Sequence, residues 1–219
     1  VLDYLRSGYF DSIIWGDCEG ALDKTDARRI LLAGRGLPVY IHDALDDFAD
    51  NRDGVMERTG MRSIAGYFKR EMLLCMPGRP DTFPLPFAYP DGRIPDDVWR
   101  RERRAPLFWA GHREASLRRL YLETLEKRFG MRLDEQLSQA AYRQRLEESR
   151  IGLNCFGYGF DTVRYWELPA HGCVLLSEAP PIGIPYNFRH GQEALFFRNA
   201  GELEELAGRY MNDLESCAA

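Results

Sequence analysis

Arg164 and Glu167 stand three residues apart in the stretch GFDTVRYWELPAHGCVLLSE, residues 159–178. That spacing is one face of a helix, so a guanidinium and a carboxylate would work side by side. Just before them, FGYGFDT supplies Gly157, Tyr158, Gly159, Asp161 and Thr162. Glycines let backbone N–H groups approach an anion closely, and an Asp-Thr pair marks a helix start. The free N–H groups of a first helical turn carry partial positive charge. An arginine in that turn opposes the helix dipole unless an anion pairs with it, and its planar fork suits phosphate. Glu167 could then accept hydrogen bonds from both hydroxyls of a ribose. The chemistry is that of holding a phosphate-bearing ligand. Glycine-rich strand-to-helix turns are also common, and Arg/Glu at this spacing is often a surface pair, so both readings stand on these residues alone.

A second group of candidates lies in the first half. YIHDALDD brings His42, Asp43, Asp46 and Asp47 to the end of a strand. His42 has the chemistry of a base; equally, it packs at the strand end beside a solvated acidic loop. YFKREM sets Lys69, Arg70 and Glu71 at another strand end, to orient a substrate or to form a surface pair. His171 beside Gly172 and His190 before Gly191 fit a helix end and a turn. Tyr165 and Trp166 follow Arg164, and helix geometry sends one of them to the core. The five cysteines, Cys18, Cys75, Cys155, Cys173 and Cys217, are scattered. None has metal-ligand spacing, so no metal site is expected, and free cysteines of this kind imply a reducing, cytoplasmic compartment.

Composition narrows the partners. The chain has 219 residues, 45% hydrophobic and 29% charged, the profile of a folded globular protein. A net charge of −5 has the wrong sign for the counterion release that drives nucleic-acid binding, despite the basic cluster WRRERRAP at 99–106. No nucleic-acid partner is expected. No apolar run approaches the roughly 20 residues of a spanning helix, so no transmembrane segment is expected. The start, VLDYLRSGYF, has neither an initiator Met nor the form of a signal peptide, and enters mid-pattern as a fragment or processed product would.

The elements that must position these residues alternate between strand and helix, the signature of α/β layering. DSIIWGD (11–17) and LPVYIHD (37–43) read as buried parallel strands around a helix, TDARRILLAGRG (25–36). A third strand falls within 62–73. The proline-dense stretch 76–97 reads as a stiff extended linker, because proline neither donates to a ladder nor continues a helix. It separates domains at 1–90 and 91–219. Beyond it APLFWAGH (105–112) is a strand. EASLRRLYLETLEKRFG (114–130) is a helix whose apolar face is Leu117, Leu120, Tyr121 and Leu125. A helix at 134–150, a strand at 151–159, a helix at 161–172, strands at 173–178 and 191–199 and a helix at 200–216 complete the chain. Ligands of open parallel sheets bind at the carboxyl ends of strands, here the loops after Gly16, His42, Gly111, Gly157 and Glu178.

The block SRIGLNCFGYGFDTVRYWELPAHGCVLLSE resembles the core of the group 1 glycosyltransferases, in particular the spore-maturation-protein type. That family runs from an SxxxLN strand to an RxxE helix, then to AxGxxxLSE and a later GxE turn. NFRHGQEALFF (187–197) is similar to the later turn, and YFKREM, PLPFAYP and LFWAGHREASLRRLYLETL resemble upstream parts. The resemblance implies a GT-B fold, two Rossmann-like parallel-sheet domains facing a cleft, with the N-terminal, acceptor-side one incomplete here. It implies a nucleotide-sugar donor as co-substrate, bound by the C-terminal domain without metal or other cofactor, and a saccharide, protein or small-molecule acceptor. Glu167 would hold the ribose, and Arg164 or the Gly157–Thr162 loop the phosphates. Gly111, His112 and Arg113 form a second loop of diphosphate contacts. Retaining members carry an acid eight positions before the ribose-binding Glu; that position is Gly159 here, and Asp161 is the nearest acid, either its substitute or a helix cap. Glycosyl transfer also asks for a base, for which His42 is the candidate. A catalytically silent nucleotide-sugar-binding or scaffold protein of the same fold is the alternative, and a nucleotide-sugar epimerase a third possibility.

Overall fold

The computed structural model describes residues 1–17, 24–76, 78–114, 117–133 and 136–212. The first part of the chain forms α1 (Leu2–Arg6), β1 (Ile13–Asp17), α2 (Lys24–Ala33), β2 (Val39–Asp43), α3 (Arg52–Thr59), β3 (Gly66–Lys69) and β4 (Thr82–Pro84). After short 3-10 turns come β5 (Ala105–Phe108), α4 (Arg118–Phe129), α5 (Gln139–Glu148), β6 (Ser149–Asn154), α6 (Val163–Ala170), β7 (Val174–Glu178), β8 (Leu195–Phe197) and α7 (Ala200–Asn212). Two sheets result, each of four parallel strands in chain order. The expected α/β organisation holds. Cys18, Cys217 and the expected helical positions 115–116, 134–135 and 213–216 lie outside the described residues.

The chain divides into two compact units, Val1–Pro86 with Pro181–Pro185, and Phe87–Pro180 with Tyr186–Ala219. Trp15, Ile41, Val55 and Tyr67 form the core of the first. Tyr121, Leu122, Leu125, Ile151, Leu153, Leu176 and Phe197 form that of the second. The strand β6, SRIGLN, is buried along its length except at Arg150, so it is covered on both faces although only its Ile-Gly-Leu centre is apolar. Its Gly152 lets α6 lie close: a Cβ there would come within 2.4 Å of Leu168 Cδ2. Close seating of α6 fixes where its first turn, with Arg164, projects. The helix stops at Ala170, earlier than expected, where Gly172 at φ +75° turns the chain and the Cys173 N–H returns to the Leu168 carbonyl at 3.0 Å.

Four features depart from the sequence reading. The proline-dense stretch contributes an edge strand, β4, paired with β3 through Lys69 and Pro84; an edge tolerates a proline that a central strand would not. The helix α3 was not expected, since RDGVMERT has no apolar stripe. The inner face of α4 is rotated from the expected one. Leu117 and Leu120 are each 51% exposed, while Arg118, Tyr121, Leu122 and Leu125 are buried. The segment Pro181–Pro185 joins the first unit, where the Gly183 N–H donates to the Met72 carbonyl at 2.8 Å and the Leu74 N–H to the Pro181 carbonyl at 2.9 Å. Among the described residues no helix is long and apolar enough to cross a membrane.

Candidate functional site

The loops after β5 and β6, with the first turns of α4 and α6, gather most of the expected residues in the second unit. Thr162 occupies the N-cap of α6, yet its hydroxyl donates to Asn154 Oδ1 at 2.6 Å instead of capping. Asn154 is itself tied to Ser177 at 3.0 Å. The Thr162 side chain therefore does not cap α6, and the Tyr165 N–H turns to the Thr162 carbonyl at 3.1 Å; the positive end of the helix faces the loops after β5 and β6.

Arg164 lies across Gly111 and the ring of Trp109, its guanidinium carbon 5.9 Å from the ring centroid. Gly111, at φ +148°, makes room: a Cβ would sit 2.3 Å from Arg164 Nη2. The Nε of Arg164 is buried and without a hydrogen-bond partner. Arg118, which opens α4, is in the same condition. It is 8% exposed, donates to the His112 carbonyl at 2.7 Å and the Cys155 carbonyl at 3.2 Å, and leaves its Nε buried and unpartnered. Burial and then the charge of Arg164 hold the Arg118 pKa below its usual value. Two cations thus face one another with no ion pair to either among the described residues. Burying such charge unpaired costs several kcal/mol, roughly, so the arrangement favours an anion between them.

Glu167 is half-buried on the same helix and accepts from the Tyr142 hydroxyl at 2.5 Å. Burial, and then that bond, push the Tyr142 pKa up, so Tyr142 stays a neutral donor and leaves Glu167 Oε1 for another partner. Glu178 ends β7; Tyr121 donates to it at 3.1 Å and the Phe156 N–H at 3.2 Å, and burial raises its pKa.

Other expected residues take different places. Asp161 is 4% exposed, and its oxygens accept from the Phe87 N–H at 2.5 Å and from Trp166 Nε1 at 3.2 Å. Its carboxylate anchors the 87 segment to α6, which is a positioning role. Arg113 spends its fork on Glu126, at 2.9 and 2.5 Å, and on the Leu133 carbonyl at 2.8 Å. His112 presents its carbonyl to Arg118. The Gly157 N–H bonds to the Gly159 carbonyl at 3.1 Å, and Tyr158 between them is 98% exposed. Tyr165 is the ring that enters the core, at 1% exposure. His171 is buried and bonded to the Tyr89 hydroxyl at 2.9 Å, and burial lowers its pKa.

In the first unit, His42 is half-buried near the carboxyl end of β2, opposite Phe68 in register. Burial lowers its pKa, which Asp43 partly offsets and Arg70 reinforces, so the imidazole is neutral at neutral pH. Asp46 and Asp47 stay on the exposed loop, as one reading expected, but the other charges are not at the surface. Asp43, Lys69, Arg70 and Glu71 are 0%, 3%, 5% and 1% exposed. Asp43 accepts from Lys69 Nζ at 2.9 Å, Asn51 Nδ2 at 3.1 Å, the Leu45 N–H at 3.1 Å and the Tyr67 hydroxyl.

Sequence reasoning missed Arg118 and Tyr142. The signal for Arg118 was present, since Arg118, Tyr121, Leu122 and Leu125 form an i, i+3, i+4, i+7 stripe.

Parallel sheets with helices opening at the carboxyl ends of their strands define an α/β protein. A family model described as glycosyl transferase-like matches residues 103–218, more than half of the chain. The chain belongs to this glycosyl transferase-like family and is a glycosyltransferase. Among solved structures it is similar to an alpha-glucosyltransferase in complex with UDP and a 13-mer DNA containing a central A:G mismatch. The two share 11% identity at a TM-score of 0.62, over 99% of this chain and 76% of that one. That likeness places the fold in the GT-B class. No curated protein matches the sequence.

Proposed function

We propose that the chain transfers a sugar from a nucleotide-sugar donor to a hydroxyl acceptor, with the donor diphosphate held between Arg118, Arg164 and the first turn of α6. The observation that carries this reading is that Arg118 and Arg164 lie close enough for the charge of one to act on the other, each with a buried Nε lacking a hydrogen-bond partner and neither with an ion pair among the described residues. In transfer, the bond from the sugar's anomeric carbon to the diphosphate oxygen breaks and its electrons go to the phosphate. The two arginines and the helix end meet that growing negative charge, the task a metal ion performs elsewhere, so metal independence is part of the proposal. Glu167, steadied by Tyr142, takes a ribose hydroxyl on its free oxygen. The Gly111 and Gly157–Gly159 backbones and Tyr158 complete the donor surround. His42, neutral and in the first unit, is the proposed acceptor for the hydroxyl proton.

Within the family, the SRIGLN to LLSE block supports placement with the spore-maturation type. The free thiols of Cys75, Cys155 and Cys173 suit a cytoplasmic setting. The net charge of −5 disfavours a nucleic-acid acceptor, unlike the DNA-bound structural neighbour.

Thermal unfolding in the presence of UDP, GDP, ADP and TDP, each with and without EDTA, tests the donor site. Saturation at about 100 times Kd adds about 2.7 kcal/mol, a rise of about 5–10 °C for a chain of this size. At least one nucleotide should give that rise undiminished by EDTA. No shift with any of the four rejects the donor site, and a shift abolished by EDTA rejects metal independence.

A further inference from the structure

Tyr186 lies in the connection from β7 to β8, beyond the carboxyl edge of the second sheet. Its φ is +54°, and among the described residues it is the non-glycine residue with positive φ. Glycine or asparagine would sit there with little strain, whereas a tyrosine is held against its preference. Strain of this sort persists only where the surroundings impose it, and it concentrates at ligand clamps and active sites.

Those surroundings are visible one residue on. Asn187 Oδ1 accepts from the Tyr165 hydroxyl and from the Phe188 N–H at 2.8 Å. The Phe188 ring then packs 5.5 Å from Tyr165 and 6.0 Å from Trp166. The turn is thus pinned to α6, the helix that opens with Arg164. The Tyr186 side chain itself touches nothing: it is 105% exposed, with no hydrogen bond or ring contact among the described residues. A rigid turn therefore holds a strained residue in order to present a bare aromatic face to solvent.

We infer that Tyr186 is a stacking residue for a sugar ring, and so a specificity determinant of the transfer reaction. A pyranose has a face of C–H groups and a rim of hydroxyls, which matches an aromatic face with one hydroxyl at its edge. The inference rests on the glycosyltransferase reading. The ring could belong to the donor sugar or to a saccharide acceptor, and the two sources separate by experiment.

Saturation-transfer NMR and equilibrium titration with UDP, UDP-glucose and cellobiose would compare the parent with Tyr186→Phe and Tyr186→Asn. Asparagine accepts the left-handed backbone, so Tyr186→Asn should melt at the parent's temperature or above it, which keeps folding out of the comparison. Its UDP affinity should stay within about twofold, while sugar-dependent binding falls about two- to tenfold and Tyr186→Phe retains it. A loss confined to UDP-glucose assigns the donor sugar; a loss confined to cellobiose assigns the acceptor. Parent-like sugar binding by Tyr186→Asn overturns the inference, as does an equal loss for UDP, or no sugar binding by the parent. Failure of the parent to bind any of UDP, GDP, ADP and TDP instead rejects the donor reading, and the cellobiose arm then still tests the ring.

Discussion

The two units place charged groups at the same topological point, the carboxyl ends of parallel strands, and balance them in opposite ways. At the ends of β2 and β3, Lys69 meets Asp43 at 2.9 Å and Asp47 at 3.0 Å. Asp43 in turn collects further donors from Tyr67, Asn51 and the Leu45 backbone. Arg70 meets Asp46 in an ion pair, although its buried Nε has no hydrogen-bond partner. At the ends of β5 and β6, Arg118 is buried and Arg164 half-buried, yet neither meets a carboxylate within ion-pair distance among the described residues. Burial of a matched pair secures a local structure, whereas burial of an unmatched pair is sustained by a ligand. The first network thus bears on stability and, on the proposed function, the second bears on binding.

The largest effect tests the first half of that contrast. Asp43→Asn leaves the Lys69 ammonium in place with its main counter-charge removed, at a cost of about 3–5 kcal/mol. For a chain of this size the melting temperature should fall by roughly 6–20 °C in calorimetry. Asp43→Leu paired with Lys69→Met should recover much of that loss, since an apolar pair of similar size has no charge to desolvate.

The arginines should behave in the reverse sense. Arg164→Leu is expected to weaken UDP binding by about 1.5–3 kcal/mol, roughly 10- to 150-fold, by titration calorimetry. Its melting temperature without ligand should stay level or rise, because the repulsion felt by Arg118 is relieved. Arg118→Leu should do the same, apart from the carbonyl contacts to His112 and Cys155 that it gives up. An arginine variant that unfolds as Asp43→Asn does, with unaltered nucleotide affinity, would remove the distinction between the two strand ends.

How much of this was legible follows from where each signal lies in the chain. The β6–α6–β7 block declared itself because its cues are local: an apolar strand, paired glycines, a helix start, then an apolar strand again, all within residues 149–178. The anchoring role of Asp161 was hidden, since its partner is the Phe87 N–H, 74 residues away. Arg118 was obscured by its neighbour. In SLRRLYLETL two consecutive arginines bracket the boundary between two candidate apolar faces, and only packing on the sheet decides which is inside. The buried state of Lys69 and Arg70 was equally beyond reach, because KRE reads as a polar tip until the acids from the β2 loop are folded against it. Local pattern gave the helix that carries Arg164 and Glu167, and tertiary pairing decided which charges were left without a counter-charge among the described residues.

A smaller effect sharpens the binding side. Glu167→Gln keeps a hydrogen-bond acceptor but loses the charge that suits two ribose hydroxyls, a change of about 1 kcal/mol or roughly fivefold. The parent should prefer UDP over its deoxyribose analogue by about that factor, and the variant should bind the two alike. Equal discrimination in both proteins would detach Glu167 from the ribose.

The smallest effect sets the buried Asp43 carboxylate against the half-buried one of Glu178. Asp43 has a lowered pKa: burial alone would raise it, but the hydrogen bonds from Tyr67 and Lys69 outweigh burial. Its contribution to stability is therefore present above the unfolded value of 3.8 and is lost as pH falls through the lower folded value. Glu178 has a raised pKa because burial outweighs the Phe156 N–H, Tyr121 and the charge of Arg118. Its sign is opposite: the contribution is present below the unfolded value of 4.5 and is lost as pH rises through the folded value. Asp43→Asn should accordingly be most damaging at about pH 7.5 and converge on the parent in acid, while Glu178→Gln should be more stable than the parent at about pH 7.5 and match it near about pH 4. Should Glu178→Gln instead be the less stable protein at neutral pH, Glu178 would be answering Arg118 as Asp43 answers Lys69. The second unit would then be charge-balanced without a ligand, and the reason for expecting an anion there would be gone.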